Sequence, residues 1–267
     1  MIGLIDFDSV LYKAVYKIVS FSQMREAIEL YGKEKAKDWL LQEVYHEGVN
    51  RTENMLLTMQ TDAQSIFDKE VLSWELYITT CSNNFRKSLT PEYKKTRKRN
   101  SYVWLLREHY RMNGAFHSET LEADDLMADR SVELGLGNSL ILSIDKDLKT
   151  VSGYYWSYYR VRSRDINNDF IVNEFGHYET EYKQNEILFI SEEDAELNLY
   201  TQMIKGDTSD NISGIKGIGA VGAKKILGTA KNRFIATARE YIKRDLKDEF
   251  RINYKLLKLG KPNEGRN

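Results

Sequence analysis

Nine carboxylates in four short clusters are the residues of this 267-residue chain best suited to chemistry: Asp6 with Asp8; Glu122, Asp124 and Asp125; Asp145 with Asp147; and Asp207 with Asp210. Any one cluster is ordinary, because acids are common at strand ends and helix caps. Their combined placement is more telling. On a helix Glu122 and Asp125 share a face, whereas Asp124 points about 100° away, so one helix can address two sites. Asp145 and Asp147 point the same way if the chain between them stays extended. Converging carboxylates repel one another and hold protons unless something neutralises them. Hard divalent cations do so through oxygen ligands. The chain has one cysteine, Cys81, and no histidine cluster, so the donor set favours Mg2+ or Mn2+ over zinc. Two such ions about 4 Å apart bind a scissile phosphate, one activating water and the other stabilising the leaving oxygen. The chemistry implied is phosphodiester hydrolysis.

Two further stretches suit a polyanion. Gly214-Ile215-Lys216-Gly217-Ile218-Gly219 runs into a helix carrying Lys224 and Lys225. Glycines let a tight turn expose backbone N–H groups, and the helix N-terminus adds a positive dipole, so the unit can grip phosphate without reading sequence. The plainer alternative is a simple interhelix turn. The second stretch, 84–112, mixes Arg86, Lys94, Lys95, Arg97, Lys98 and Arg99 with Phe85, Tyr93, Tyr102, Trp104 and Tyr110. Its cations suit a phosphate backbone, and its rings suit stacking on unpaired bases. An exposed amphipathic helix with some aromatics in the core would look similar. Net charge is −1, but Arg86 to Arg111 carries nine Lys/Arg against two Asp/Glu, and Lys224 to Arg266 thirteen against five. Basic surfaces therefore flank an acidic centre.

These residues need a scaffold. IGLI and SLILSI (139–144) read as buried parallel strands ending in acids, with ELYITT (75–80) as another. The tyrosine-rich 153–161 and DFIVNEF (169–175) read as further strands. Residues 22–72, 121–134 and 191–206 read as helices, the last with a serine cap. Alternating strands and helices predict an α/β fold with a mostly parallel central sheet flanked by helices, whose ligands bind beyond the carboxyl ends of the strands. The expected organisation is an α/β core over 1–190, including a basic segment at 84–115, and a helix-hairpin region over 191–267, packed as one unit. The last residues, GKPNEGRN, read as loose. The opening MIGLIDFDSV lacks the basic region of a secretory signal, no apolar run is long enough to span a bilayer, and the cysteine usage fits a reducing cytoplasm, bacterial or phage-infected.

In order along the chain, IDFD, FRKSLTPEYKKTR, LEADD, SIDKD and KGDTSDNISGIKGIG resemble the motifs of the structure-specific 5′-nucleases: flap endonucleases, phage 5′→3′ exonucleases and the 5′-nuclease domain of bacterial DNA polymerase I. The resemblance implies metal-binding roles for Asp6, Glu122, Asp124, Asp125, Asp145 and Asp147. It makes Asp207 and Asp210 ligands or the acids that orient them. It implies phosphate-contacting roles for Arg86, Lys94 and Arg97, a stacking role for Tyr93, and an arch-like form for the basic segment. The helix-hairpin would bind duplex backbone and often a K+ ion. DNA 5′ ends, flaps and junctions are the implied partners, with RNA–DNA hybrids open, in a monomer working in phage-type replication or recombination. Two departures stand out. Many family members carry an acid at the end of the second strand, where this chain reads Thr79-Thr80-Cys81-Ser82, and Asp8 is the candidate replacement. The segment 22–72 is longer than expected. Asp6-x-Asp8 with GDTSD also resembles haloacid-dehalogenase phosphatases, with Asp6 as a covalent nucleophile, but that reading leaves LEADD and the glycine hairpin unexplained. A DNA-junction binder with decayed metal sites is the other alternative.

Overall fold

The computed structural model describes residues 1–16, 18–81, 84–96, 100–172, 179–184 and 186–261. The first apolar run forms β1 (Ile2–Asp6), and helix α1 (Phe7–Ala14) follows it directly. The expected helical stretch is two helices, α2 (Phe21–Tyr31) and α3 (Lys33–Ile66), split at Gly32, whose φ of 79° breaks the helical path. Strand β2 (Ser73–Tyr77) ends three residues short of the expected limit. The basic segment holds α4 (Phe85–Leu89) and α5 (Ser101–Met112). Then come α6 (Ala123–Leu134), closed by Gly135 at φ 82°, and β3 (Ser139–Leu142).

Strand β4 (Gly153–Trp156) is followed by a small antiparallel hairpin of β5 (Arg160–Arg162) and β6 (Thr180–Tyr182). The strand expected at 169–175 is not there among the described residues: Phe170 makes one isolated bridge to Arg164, and β6 takes the pairing with β5 instead. Residues 173–175 lie outside the described set. Strand β7 (Leu188–Ile190) leads to α7 (Glu192–Lys205), whose Ser191 cap accepts from Asp194 N–H as the sequence predicts. A short pair, β8 (Gly206–Asp207) and β9 (Ile212–Ser213), opens the hairpin before α8 (Ala220–Gly228), α9 (Arg233–Ile242) and α10 (Lys247–Leu257).

The main sheet has the order β2-β1-β3-β4-β7, parallel except for the β7 edge. One apolar cluster packs α1, α3 and α5 on the sheet, with Phe7, Leu11, Leu106, Leu140 and Trp156 fully buried. A second lies under α6, with Leu4, Met127 and Ile141 buried. A third joins α7 to α10 and takes in Tyr93 from the basic segment. The parallel register places the carboxyl ends of β1 and β3 side by side, so the acids that follow them face the same edge of the sheet. No helix among the described residues is long and apolar enough to cross a membrane. The chain's end is less loose than its composition suggests: Gly260 N–H donates to Asp125 and Lys261 N–H to Asp129, while 262–267 lie outside the described residues.

Candidate active site at the carboxyl edge of the sheet

Helix α6 splits its acids as the 100° rotation predicts. Asp125 and its N-cap Glu122 turn toward Arg86 of α4. Arg86 is 1% exposed, and each of its five N–H groups has an acceptor. Nη1 reaches Asp125 at 2.5 Å and Glu122 at 3.4 Å. Nη2 reaches Asp125 at 2.6 Å and the Lys258 carbonyl at 3.4 Å. Nε reaches the Leu256 carbonyl at 2.7 Å. Asp125 in turn accepts from both guanidinium nitrogens and from the backbone N–H of Glu122 and of Gly260. Four donors fill its four lone-pair sites. In this arrangement Asp125 and Arg86 spend their hydrogen-bonding groups on each other and on neighbouring backbone, where the resemblance implied a metal and a phosphate. Together they tie α4, α6 and the end of α10 into one buried unit.

Glu122 is compensated as well. It accepts from Lys94 Nζ at 2.8 and 2.9 Å and from Tyr93 Oη at 2.9 Å. Burial pushes its carboxyl up, but Lys94, Arg86 and Tyr93 outweigh burial and hold it below the usual range. Lys94 also stands 3.6 Å from Asp210, and its backbone N–H donates to the Asp210 carbonyl. Asp207 accepts from Lys146 Nζ at 2.7 Å and from Ser209 N–H and Oγ. Burial opposes ionisation there too, and Lys146 and Ser209 prevail, so its carboxyl lies below the usual range. Tyr93 is 3% exposed within the third apolar cluster, which corrects its expected stacking role.

Among the described residues no Lys or Arg hydrogen-bonds to Asp6, Asp124 or Asp147. Asp6, at the end of β1, is buried, and there its carboxylate accepts from two neutral hydroxyls, Ser143 Oγ at 2.7 Å and Ser9 Oγ at 3.3 Å. Burial, then Asp8 and Asp145, push its carboxyl up to about 7. Asp124 keeps part of its surface open to solvent, yet the protein packed around its carboxylate, with Asp6 and Asp145, raises it well above the usual range. Asp147 accepts from Gln202 Nε2 at 2.9 Å, and burial, Asp145 and Asp207 push it up to about 6. The stretch from Asp145 is not extended as expected. The Asp145 side chain accepts from Asp147 N–H and starts a 3-10 turn over Lys146–Thr150, and Asp145 still acts on Asp147 as its strongest neighbouring charge. Among the described residues no three His, Cys, Asp or Glu side chains already stand in ion-ligating geometry. Asp145 nonetheless stands close enough to raise both Asp6 and Asp124, and Asp6 close enough to raise Asp124.

Asp8 stands close enough to raise Asp6, but its hydrogen bonds run elsewhere. Its carboxylate accepts from Thr79 N–H at 3.1 Å, at the end of β2, and from Arg107 Nε at 2.8 Å. The remaining basic residues are peripheral or undescribed: Lys95 is exposed and paired with Glu92, and Arg97, Lys98 and Arg99 lie outside the described residues. Of the rings in the segment, Trp104 is the exposed one at 46%, while Tyr110 is buried.

The glycine hairpin begins at Asp207. Gly206 and Gly214 meet backbone to backbone, so that a Cβ on either would fall 2.2–2.3 Å from the other's nitrogen. Gly214 therefore serves the close approach of β8 and β9, and it also lines the depression at Lys216. Gly217 turns the chain at φ 85°, and Gly219 caps α8. Lys216, Gly217, Gly219, Lys224 and Lys225 are all exposed, and the first three line this open depression, of about 610 Å³, together with Lys205, Thr208 and Asn211.

No family model matches the chain. Over 155 residues, 54% of its length, it is 30% identical to DNA polymerase I of Borreliella burgdorferi, and it spans 15% of that polymerase. A bacteriophage T5 protein co-crystallised with metal ions superposes over 96% of this chain and 88% of its own, with a TM-score of 0.59 at 16% identity. The T5 5′-exonuclease with divalent zinc bound covers the same shares at a TM-score of 0.55 and 15% identity. The T5 flap endonuclease, in a pseudo-enzyme–product complex with DNA and metal ions, gives 0.54 and 16%. The chain has the 5′-nuclease fold.

Within this 5′-nuclease fold, several residues that shape the site escape a motif reading. Ser143 and Lys146 lie inside SIDKD but are not acids: one orients Asp6 and the other neutralises Asp207. Arg107 carried a signal in its spacing. It follows buried Val103 by one helical turn and precedes buried Tyr110 by three residues, which sets it toward the inner face of α5. Thr79 acts through its backbone, for which the side-chain sequence has no signal.

Proposed function

We propose that this chain is a divalent-metal-dependent, structure-specific 5′-nuclease, a 5′→3′ exonuclease or flap endonuclease acting on DNA. The observation that carries this reading is the group Asp6, Asp124 and Asp145 at the carboxyl edge of the sheet, where burial and mutual repulsion raise Asp6 and Asp124, in a chain that also carries an exposed glycine hairpin. The donors fit a hard cation: all are carboxylate oxygens, and among the described residues the buried Asp6 carboxylate accepts from neutral hydroxyls. Asp6, Asp124 and Asp145, with Asp147 beside them, would hold Mg2+ or Mn2+. When bound, such ions supply an activated water and charge neutralisation at the leaving oxygen.

The chain's own residues do the rest. Ser9 and Ser143 fix the Asp6 carboxylate from below. Lys94, held over Glu122 and Asp210, sets a positive charge at the mouth of the acid centre, where it would meet the phosphate. Exposed Lys216, Lys224 and Lys225, with the N-terminus of α8 and its K+-type glycine turn, would hold the duplex backbone. Arg97, Lys98 and Arg99 would follow the 5′ single strand. A monomer built from an α/β core (1–190) and a helix-hairpin region (191–267) suffices for this, in a replication or recombination role.

The test is cleavage of 5′-labelled 5′-flap, blunt duplex, single-strand and RNA–DNA hybrid substrates with Mg2+. Flap or duplex cleavage is expected, and Asp124→Asn or Asp145→Asn should lower it at least about a thousandfold with DNA affinity within about twofold. Full activity in either variant would overturn the site. A phosphorylated Asp6 would establish the phosphatase reading instead.

A further inference from the structure

The pairing of Asp8 carries an inference that rests on the metal-dependent reading above. Asp8 lies two residues from Asp6 and starts α1, yet its carboxylate is turned to the end of β2 and to α5. Three features hold it there. Thr79 N–H donates to both of its oxygens, at 3.3 and 3.1 Å. Arg107 Nε donates at 2.8 Å, with the two side chains only 16% and 18% exposed, so water screens the pair poorly. The guanidinium also lies 5.8 Å from the ring of Tyr12, one turn along α1 from Asp8. The backbone fixes this approach: Tyr110 meets Phe7 edge-on at 4.7 Å, and Val103 and Leu106 are buried in the same cluster. Arg107 is therefore delivered to Asp8 by a packed helix and does not reach it by chance from a loose side chain.

The consequence is electrostatic. A fixed positive charge stands against Asp8, two residues beyond Asp6, at the rim of an acid centre in which neither Asp6 nor Asp124 has an ion pair among the described residues, although the charge of Lys94 reaches Asp124 and that of Lys13 reaches Asp6. It neutralises Asp8 without an ion, and it repels any divalent ion that approaches from that side. We infer that Arg107 is a resident cation that withdraws Asp8 from the ion-binding set, through the α5–α1 ion pair, and thereby limits how many divalent ions the acid centre holds. Arg107 is a positioning residue, acting through Asp8 on the ions and not on the substrate.

The experiment is a Mn2+ titration of the whole chain without DNA, counting free Mn2+ by electron paramagnetic resonance, for the wild type, R107Q, R107K, D8N and the double variant D8N/R107Q. Removing the cation should tighten the weakest ion by about tenfold or add a bound ion. D8N should weaken binding, because Arg107 is then uncompensated. The double variant restores neutrality and should return to within about threefold of the wild type. R107K keeps the charge and should behave like the wild type, whereas a packing role for the planar guanidinium would make it behave like R107Q. The inference is overturned if R107Q binds Mn2+ no tighter, or if the double variant stays as weak as D8N, which would make Asp8 a ligand. A wild-type chain that binds no Mn2+ in the millimolar range would overturn the nuclease reading itself, a result distinct from either.

Discussion

Helix α6 divides two acidic neighbourhoods that use the same residue types for opposite ends. On one side Glu122 and Asp125 are buried with Arg86, Lys94 and Tyr93, and every acid has a fixed donor. On the other side Asp124 meets Asp6 and Asp145, and burial with the neighbouring acids outweighs the opposing charge of Lys94 on Asp124. One residue along the helix separates a structural acid from a candidate ligand. Carboxylate type and burial therefore do not mark a metal site. The count of donors already committed to each oxygen does, because a filled carboxylate has nothing to offer an ion and a bare buried one is unstable without it.

The sharpest break in this comparison is expected on the compensated side. Arg86→Ala leaves Asp125 charged, buried and short of two donors, and Asp125→Ala strands the guanidinium. Removing one member of a buried pair costs about 3–5 kcal/mol, enough to unfold much of a protein of ordinary stability. Urea unfolding should show that loss for either variant with or without Mg2+. A loss below about 1 kcal/mol in Arg86→Ala would place the pair among ordinary surface contacts.

The Asp6 side should respond to pH in the opposite sense to a salt-bridged acid. The folded-state carboxyl of Asp6 sits at about 7 and that of Asp147 at about 6, both above the ordinary Asp value of 3.8. The folded chain then binds more protons than the unfolded one between those values. The contribution of these two groups is full below about pH 4 and is lost as pH rises through 6 and 7. For Asp6 alone the loss is on the order of 4 kcal/mol at most. Glu122 and Asp207, whose carboxyls are lowered, work the other way, but only at more acidic pH. Thermal melts in EDTA from pH 5 to 8 should therefore show a falling Tm that Mg2+ restores. A Tm that is flat, or that rises with pH in EDTA, would contradict the bare-carboxylate assignment.

How much of this was legible beforehand follows from which interactions are local. The parallel sheet, the strand-end acids, the Ser191 cap and the rotation that separates Asp124 from Asp125 depend on period and spacing, which a sequence displays. The role of Arg86 depends on the carbonyls of Leu256 and Lys258, 170 and 172 residues away, and no local pattern encodes them. Tyr93 sits in a basic run that reads as a nucleic-acid surface, but the core formed by α7 to α10 claims its ring. The 3-10 turn at Asp145 arises from one side-chain-to-backbone bond that outcompetes an extended chain. Gly214 was legible as a glycine that mattered, though one reason for it is the approach of Gly206.

The smallest effect on folding, and a distinct one on binding, belongs to the exposed cations of the hairpin. Lys224 and Lys225 project from α8 into solvent, so replacing both with Ala should change stability by no more than about 0.5 kcal/mol. If they neutralise two phosphates, the slope of log affinity for duplex DNA against log salt should shrink by about 1.8. That result would contrast with Arg86, a cation of the same sign whose removal costs the fold and whose N–H groups are spent within the protein. The two measurements together separate charge that binds DNA from charge that holds the protein. An unchanged salt slope in the double alanine variant would move the duplex contact off the hairpin and onto the basic segment around Lys95.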